Sequence, residues 1–120
     1  MNRKKFIYIS GKMGEKILSE ATVKKFEEAH RKMEEAGWSV INPASYVFQQ
    51  DAQRKVGSDI EEYKQTGFVN LDWYAGMLLY DMEVLALCDA IYMLSDWQDS
   101  PGATAEYYYA KACKKEIIFE

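Results

Sequence analysis

One carboxylate falls where the surrounding pattern calls for an apolar side chain. Asp81 lies four residues after Met77 and four before Leu85. The spacing of the apolar residues predicts a helix from about Leu71 to Cys88, with Asp81 inside its apolar stripe. A carboxylate on a buried helix face is unfavourable unless it is paired or lines a cavity. Asp81 is therefore either a partly buried aspartate satisfied by a backbone amide or an arginine, or an acid with a raised pKa at the edge of a pocket.

A second group of candidates begins at Asp99, where small residues and a Pro-Gly pair lead from a predicted strand into a predicted helix. Such a turn presents backbone N–H groups at a helix N-terminus and can bind an anion, which makes Asp99, Ser100 and Gly102 candidate binding residues. Glu106 follows in about the first turn of that helix, where the dipole is expected to keep it ionised, as a nucleophile requires. The alternative is that Glu106 only stabilises the helix end, as glutamates in first turns commonly do.

Residues around the end of the first predicted strand can reach the same place. Tyr8 is either an aromatic residue of the core or a hydroxyl group that reaches into the crevice. Ser10, Gly11 and Lys12 follow it in a loop that can approach a phosphate, unless Lys12 is a solvated surface lysine. Trp97 is the aromatic residue best placed to stack on the ring of a ligand, whereas the other tryptophans and most tyrosines are expected in the core or at a subunit contact.

Four short apolar runs rich in β-forming residues predict the strands that position these candidates. They are Phe6–Ile9, Trp38–Asn42, Ala90–Leu94 and Glu116–Phe119. Helices are predicted at Val23–Ala36, Leu71–Cys88 and Ala103–Lys114, with Ser19 or Thr22 as the first cap and Gly37 as the first stop. The polar stretch from Pro43 to about Asn70 predicts an irregular functional loop or lid, with a short helical piece around Ile60 to Gln65.

Strands that alternate with helices, and that are nearly continuous apolar runs, indicate a parallel sheet covered on both faces. The expected fold class is α/β, a small doubly wound sheet of the flavodoxin- or Rossmann-like kind, in one domain over residues 1–120. Right-handed crossovers favour the strand order 2-1-3-4. Such sheets bind ligands at the carboxyl ends of the strands, here at the switch point between the first and third strands.

Composition argues against several classes of function. The net charge of −4 argues against binding to polymeric nucleic acid, which needs a basic face. No apolar run approaches the ~18 residues of a membrane span, and the first residues lack the apolar stretch of a signal peptide, so a cytoplasmic protein is expected. Cys88 and Cys113 are expected to be reduced, and two cysteines with one histidine make no metal site. Neither a metal nor a cofactor is expected.

Several segments form a set that is more specific than any one of them. The set consists of Tyr8–Gly14, Val40–Pro43, Cys88–Tyr92, and the stretch from Trp97 through Ser100–Ala103 to Glu106. Together they resemble a family of short bacterial and phage proteins, a domain of unknown function. That family is similar to a compact nucleoside 2-deoxyribosyltransferase and to the 2′-deoxynucleoside 5′-monophosphate N-glycosidases. The resemblance covers nearly the whole chain apart from the stretch between Tyr46 and Asn70.

The resemblance implies a role for each matching position. Tyr8 matches a tyrosine that orients the nucleophile, and Asp81, eight residues before the aspartate that opens the third strand, matches the acid/base near the nucleobase. Glu106 matches the glutamate that attacks the anomeric carbon. Six residues before it the deoxyribosyltransferases have an aspartate that holds the sugar hydroxyls, whereas the monophosphate hydrolases have a serine that contacts the 5′-phosphate. Ser100 stands there, with Asp99 one place earlier, which favours a 5′-phosphorylated ligand unless the loop is shifted by one residue.

The implied reaction is cleavage or transfer at the N-glycosidic bond of a (deoxy)nucleoside or its 5′-monophosphate, through a covalent glycosyl intermediate on Glu106. One alternative is a nucleotide sensor that keeps the crevice and catalyses nothing. Another is a phosphoribohydrolase of the lysine-decarboxylase-like type, whose Pro-Gly-Gly loop is echoed only weakly because Ala103 stands at the second glycine. A homodimer or higher homo-oligomer is expected, since 14% aromatic residues are difficult to bury in 120 positions and related enzymes complete their pockets with a neighbouring subunit.

Overall fold

The four strands form one parallel sheet in the order β2-β1-β3-β4. A computed structural model describes residues 3–14, 17–67 and 70–120. The strands are β1 (Phe6–Ser10), β2 (Ser39–Ile41), β3 (Ala90–Met93) and β4 (Glu116–Phe119). Tyr8 of β1 pairs in register with Ile41 on one side and with Ile91 on the other. The predicted fold class and strand order are confirmed.

Four α-helices connect the strands, and each begins at a polar residue that caps it. They are α1 (Glu20–Glu35), α2 (Tyr46–Thr66), α3 (Trp73–Ala86) and α4 (Pro101–Ala112), with a 3-10 turn at Trp97–Asp99 before α4. Ser19 caps α1 by accepting a hydrogen bond from the Thr22 N–H, so Ser19 rather than Thr22 is the cap. Gly37 follows α1 with a φ of 97°, a conformation that glycine adopts without strain and that ends the helix.

The alternation of side chains along β1 divides the core between two faces of the sheet. Ile7 and Ile9 pack with Phe26 of α1 on one face. Tyr8 points to the other face, where it packs with Leu85 of α3 and Ala110 of α4. Helices therefore cover both faces, and the second face carries the two helices that hold Asp81 and Glu106. Within the described ranges, no helix combines the length and the apolar character needed to cross a bilayer.

The prediction of an irregular loop or lid between Pro43 and Asn70 is wrong, because most of that stretch is the 21-residue helix α2. Ser45 caps it, and Gly67, with a φ of 64°, ends it. The helix is polar because it buries little: only Ala52 and Val56 are buried, on the side that packs against α3. A Cβ at Gly76 of α3 would lie 2.6 Å from Val56 Cγ1, so this glycine permits the close approach of the two helices.

Candidate active site

A cavity of about 740 Å³ opens at the carboxyl ends of β1 and β3. Its wall is built mainly from Tyr8, Ile9 and residues 11–14, from α2 and α3, and from the segment between Asp99 and Glu106. This is the switch point of the sheet, where the sequence predicts a ligand. Asp81 and Glu106 both line the cavity, as the sequence analysis predicts.

Glu106 is buried and held by two hydroxyl groups from β1. The Tyr8 hydroxyl donates to Glu106 Oε2 at 2.6 Å, and Ser10 Oγ donates to Oε1 at 2.7 Å. Residues two apart on a strand point to the same face, so β1 presents both donors to α4. Each carboxylate oxygen thus has a fixed donor, which sets the orientation of the side chain. The predicted contact between Tyr8 and Glu106 is confirmed.

The expectation that the helix dipole keeps Glu106 ionised is wrong. The helix α4 begins at Pro101, so Glu106 is its sixth residue and lies beyond the first turn, where the dipole acts. Ser100 caps the helix instead, with its Oγ accepting a hydrogen bond from the Ala103 N–H at 3.1 Å. Burial raises the pKa of Glu106 to about 7, and the hydrogen bonds from Tyr8 and Ser10 oppose this by favouring the carboxylate.

Asp81 differs from Glu106 in having fewer partners. Its Oδ1 is buried, and no described residue forms a hydrogen bond with it, so the reading as an aspartate satisfied by an amide or an arginine does not hold for this oxygen. Burial, and then the charge of Glu106, raise the pKa of Asp81 to about 8. When the two carboxylates together hold one proton, Asp81 is the favoured site for it, because the two hydroxyl donors favour the ionised form of Glu106.

Tyr8 keeps its proton in this setting. Burial and the charges of Glu106 and Asp81 raise the pKa of the Tyr8 phenol well above its usual value. The phenol therefore acts as a hydrogen-bond donor to Glu106 and not as an acid or base near neutral pH.

The loop after β1 forms one rim of the cavity. Gly11, Lys12, Met13 and Gly14 all line it. A Cβ at Gly11 would lie 2.6 Å from a side-chain atom of Leu94, so the absence of a side chain lets this loop lie against the end of β3. Asp99, Ser100 and Gly102 line the cavity on the α4 side, in agreement with their selection from the sequence.

Two residues selected as binding residues are placed elsewhere. The Ser10 hydroxyl contacts Glu106, and Ser10 is absent from the cavity wall, so it supports the carboxylate rather than facing a ligand. Trp97 also lies outside the wall: its ring stacks at 4.6 Å from that of Tyr107 and at 6.3 Å from that of Phe119. The short 3-10 turn directs Trp97 against the edge of the core beside α4, where its ring is partly buried and less of its apolar surface faces water.

Several residues of the wall were not selected from the sequence, among them two aromatic residues of α3 and two glutamines of α2. Trp73 and Tyr74 lie in the first turn of α3, and Gln49 and Gln53 lie one turn apart on α2. Trp73 falls eight residues before Asp81, on the same stripe of α3, and that spacing was a usable signal. Gln49 and Gln53 were hidden because their helix was not predicted. The Gln49 side chain donates to the Pro43 carbonyl at 2.7 Å, which fixes its carboxamide.

Residues 5–119 match the model of a family described as Domain of unknown function (DUF4406). The chain belongs to this family. No curated protein matches it. In this family member, the described residues include no group of three or more His, Cys, Asp or Glu side chains placed to hold a metal ion. What the cavity does contain is a carboxylate, Glu106, that two hydroxyl donors orient, and a second carboxylate, Asp81, whose pKa is raised further and which therefore holds its proton more readily. Such a pair is suited to nucleophilic attack with acid catalysis.

Proposed function

We propose that this DUF4406 protein cleaves or transfers the N-glycosidic bond of a (deoxy)nucleoside or a (deoxy)nucleoside 5′-monophosphate. The observation that supports this most is the unequal pair of buried carboxylates in one cavity. Glu106 accepts hydrogen bonds from Tyr8 and Ser10, whereas the buried Asp81 Oδ1 has no such donor among the described residues. A glycosidic bond needs both functions, a carboxylate at the anomeric carbon and an acid at the leaving group.

In the first step a Glu106 carboxylate oxygen forms a bond to the anomeric carbon as the bond from that carbon to the base nitrogen breaks. The base leaves with that bonding pair and takes the proton of Asp81. In the second step water attacks the anomeric carbon, Asp81 accepts a proton from the water, and Glu106 leaves as the carboxylate. If a second base attacks in place of water, the same cycle performs transfer.

Each part of the substrate has a matching part of the wall. The leaving base must reach Asp81, so we expect it to lie toward α3, against the apolar surface of Trp73 and Met77. The sugar then lies over Glu106. Its 5′ end is expected toward Ser100 and the Lys12 ammonium, which suits a phosphate.

A substrate screen tests the proposal. The protein is incubated with the common nucleosides, deoxynucleosides and their 5′-monophosphates, and free base is measured by chromatography, with a second, labelled base present to detect transfer. Glu106→Ala should abolish base release, and Asp81→Asn should reduce it by about 10²- to 10⁴-fold. Glu83→Gln is the control, since Glu83 is exposed on the same helix as Asp81. Tight nucleotide binding without base release would instead support the sensor.

A further inference from the structure

Two charged residues outside the cavity wall hold the backbone of Lys12 from both sides. The Lys12 N–H donates to Asp96 Oδ1 at 3.0 Å, and Lys25 Nζ donates to the Lys12 carbonyl at 3.0 Å. Lys25 Nζ also pairs with Asp96 Oδ2 at 2.5 Å. Lys25 comes from α1, and Asp96 directly precedes the 3-10 turn that follows β3, so two separate parts of the chain meet at Lys12 in the loop after β1. We call Lys25 and Asp96 the clamp.

The clamp leaves the side chain of Lys12 available. That ammonium takes part in no ion pair within the part of the chain that the structure describes, and Lys12 is exposed at the cavity. The charge of Asp96 is balanced by Lys25, so the net charge of the three residues is positive and resides on Lys12. A fixed backbone with an unpaired ammonium at a cavity rim suits recognition of an anionic group.

We propose that Lys25 and Asp96 are positioning residues that fix Lys12 to bind the phosphate of a nucleoside 5′-monophosphate. This inference rests on the proposed function, which supplies the class of ligand. It adds that recognition of the phosphate depends on two residues, Lys25 and Asp96, that lie outside the cavity wall. Loss of either clamp residue frees the Lys12 peptide, so the ammonium must be ordered when the ligand binds, and affinity for the phosphorylated ligand falls.

The chain offers a matched control at the opposite, amino end of β1 and β3. Asp89 accepts a hydrogen bond from the Phe6 N–H at 2.9 Å and pairs with Arg3 at 2.5 Å. Asp89 thus holds a backbone N–H and a basic side chain just as Asp96 does, but neither Asp89 nor Arg3 lines the cavity. Asp89→Ala should therefore disturb stability in a comparable way without changing the preference for phosphate.

Binding measured by calorimetry on a protein without Glu106 tests the role of Lys25 and Asp96 separately from catalysis. The four 2′-deoxynucleoside 5′-monophosphates and their deoxynucleosides are titrated into Glu106→Ala protein, alone and with each clamp substitution. We expect Asp96→Ala to weaken monophosphate binding about tenfold and nucleoside binding less than twofold. Lys25→Ala should weaken monophosphate binding further, because it leaves Asp96 unpaired near the phosphate, and the double variant should resemble Asp96→Ala. Asp96→Asn, which keeps an acceptor for the Lys12 N–H, should recover most of the loss.

Hydrogen exchange of the Lys12 amide supplies a second readout that needs no ligand. Exchange at Lys12 should be at least tenfold faster in Asp96→Ala than in Asp89→Ala. Three results would contradict the proposed role of Lys25 and Asp96. They are an equal loss of affinity for monophosphates and nucleosides, a monophosphate bound no more tightly than its nucleoside, and an unchanged exchange rate at the Lys12 amide. If Glu106→Ala protein binds monophosphates with the predicted dependence on Asp96 but the wild type releases no base, the proposed reaction is overturned and the role of Lys25 and Asp96 stands.

Discussion

Replacing Asp81 by asparagine should stabilise the fold, and the gain should grow with pH. The pKa of Asp81 is raised from 3.8 to about 8. Because the folded pKa lies above the unfolded one, the contribution of Asp81 to stability is fully present below pH 3.8 and is lost as pH rises through about 8. Asparagine resembles the protonated acid at every pH and so escapes this loss.

The size of the effect follows from the same values. Each pH unit between the two pKa values costs about 1.4 kcal/mol, which sets an upper limit of about 6 kcal/mol. Relaxation around the ionised group reduces this, and we expect a gain of about 2 kcal/mol or more at pH 9, or about 8 °C in Tm for a chain of this size.

Thermal unfolding of wild type and Asp81→Asn at pH 4, 7 and 9 measures the difference. The two proteins should nearly coincide at pH 4 and separate progressively at pH 7 and 9. Glu83→Gln, at an exposed position of α3, should stay within about 0.5 kcal/mol of wild type at each pH. An Asp81→Asn protein that is no more stable than wild type at pH 9 would show that Asp81 is not an unpaired buried acid.

Tyr8→Phe removes the hydroxyl that donates to Glu106 Oε2 at 2.6 Å. The value of kcat/KM should fall about 10- to 100-fold. The rising limb of the pH–rate profile should move to higher pH, because Glu106 without this donor holds its proton more tightly. A limb that does not move would remove the orienting role of Tyr8. Trp97→Ala breaks the stack on Tyr107 and should cost about 2–3 kcal/mol of stability while changing ligand affinity less than twofold; a large loss of affinity in calorimetry would return Trp97 to the binding site. Light scattering should give a homodimer or larger assembly, since side chains such as Tyr108 are 59% exposed in the single chain, and a monomer at high micromolar concentration would contradict it.

The sheet could be predicted from the sequence because its strands are short apolar runs separated by amphipathic helices. Their order follows from the handedness of parallel crossovers, which does not depend on side-chain detail. The placement of Asp81 and Glu106 in one cavity followed too, because the carboxyl ends of β1 and β3 meet at the switch point.

The features that could not be predicted are a helix that buries few residues and side-chain positions that depend on exact local geometry. The helix α2 buries only Ala52 and Val56, so its apolar signal was too weak to separate it from a polar loop. Trp97 was assigned to the ligand because it lies in the right loop, but the 3-10 turn directs it toward Tyr107. The contact of Tyr8 with Glu106 was expected from the family resemblance, but the second donor, Ser10, was assigned to the ligand instead. Its contact with Glu106 depends on how β1 lies against α4, which the sequence does not show.

The central claim is that Glu106 attacks the anomeric carbon, and a single quenched reaction tests it most directly. Wild type and Glu106→Ala are mixed with a substrate found in the screen, stopped with acid at short times, and analysed for free base and for the mass of the peptide that contains residue 106. The mechanism predicts base release together with a glycosyl adduct on that peptide in wild type, and neither in Glu106→Ala. Base release by Glu106→Ala at a rate near that of wild type would contradict the mechanism.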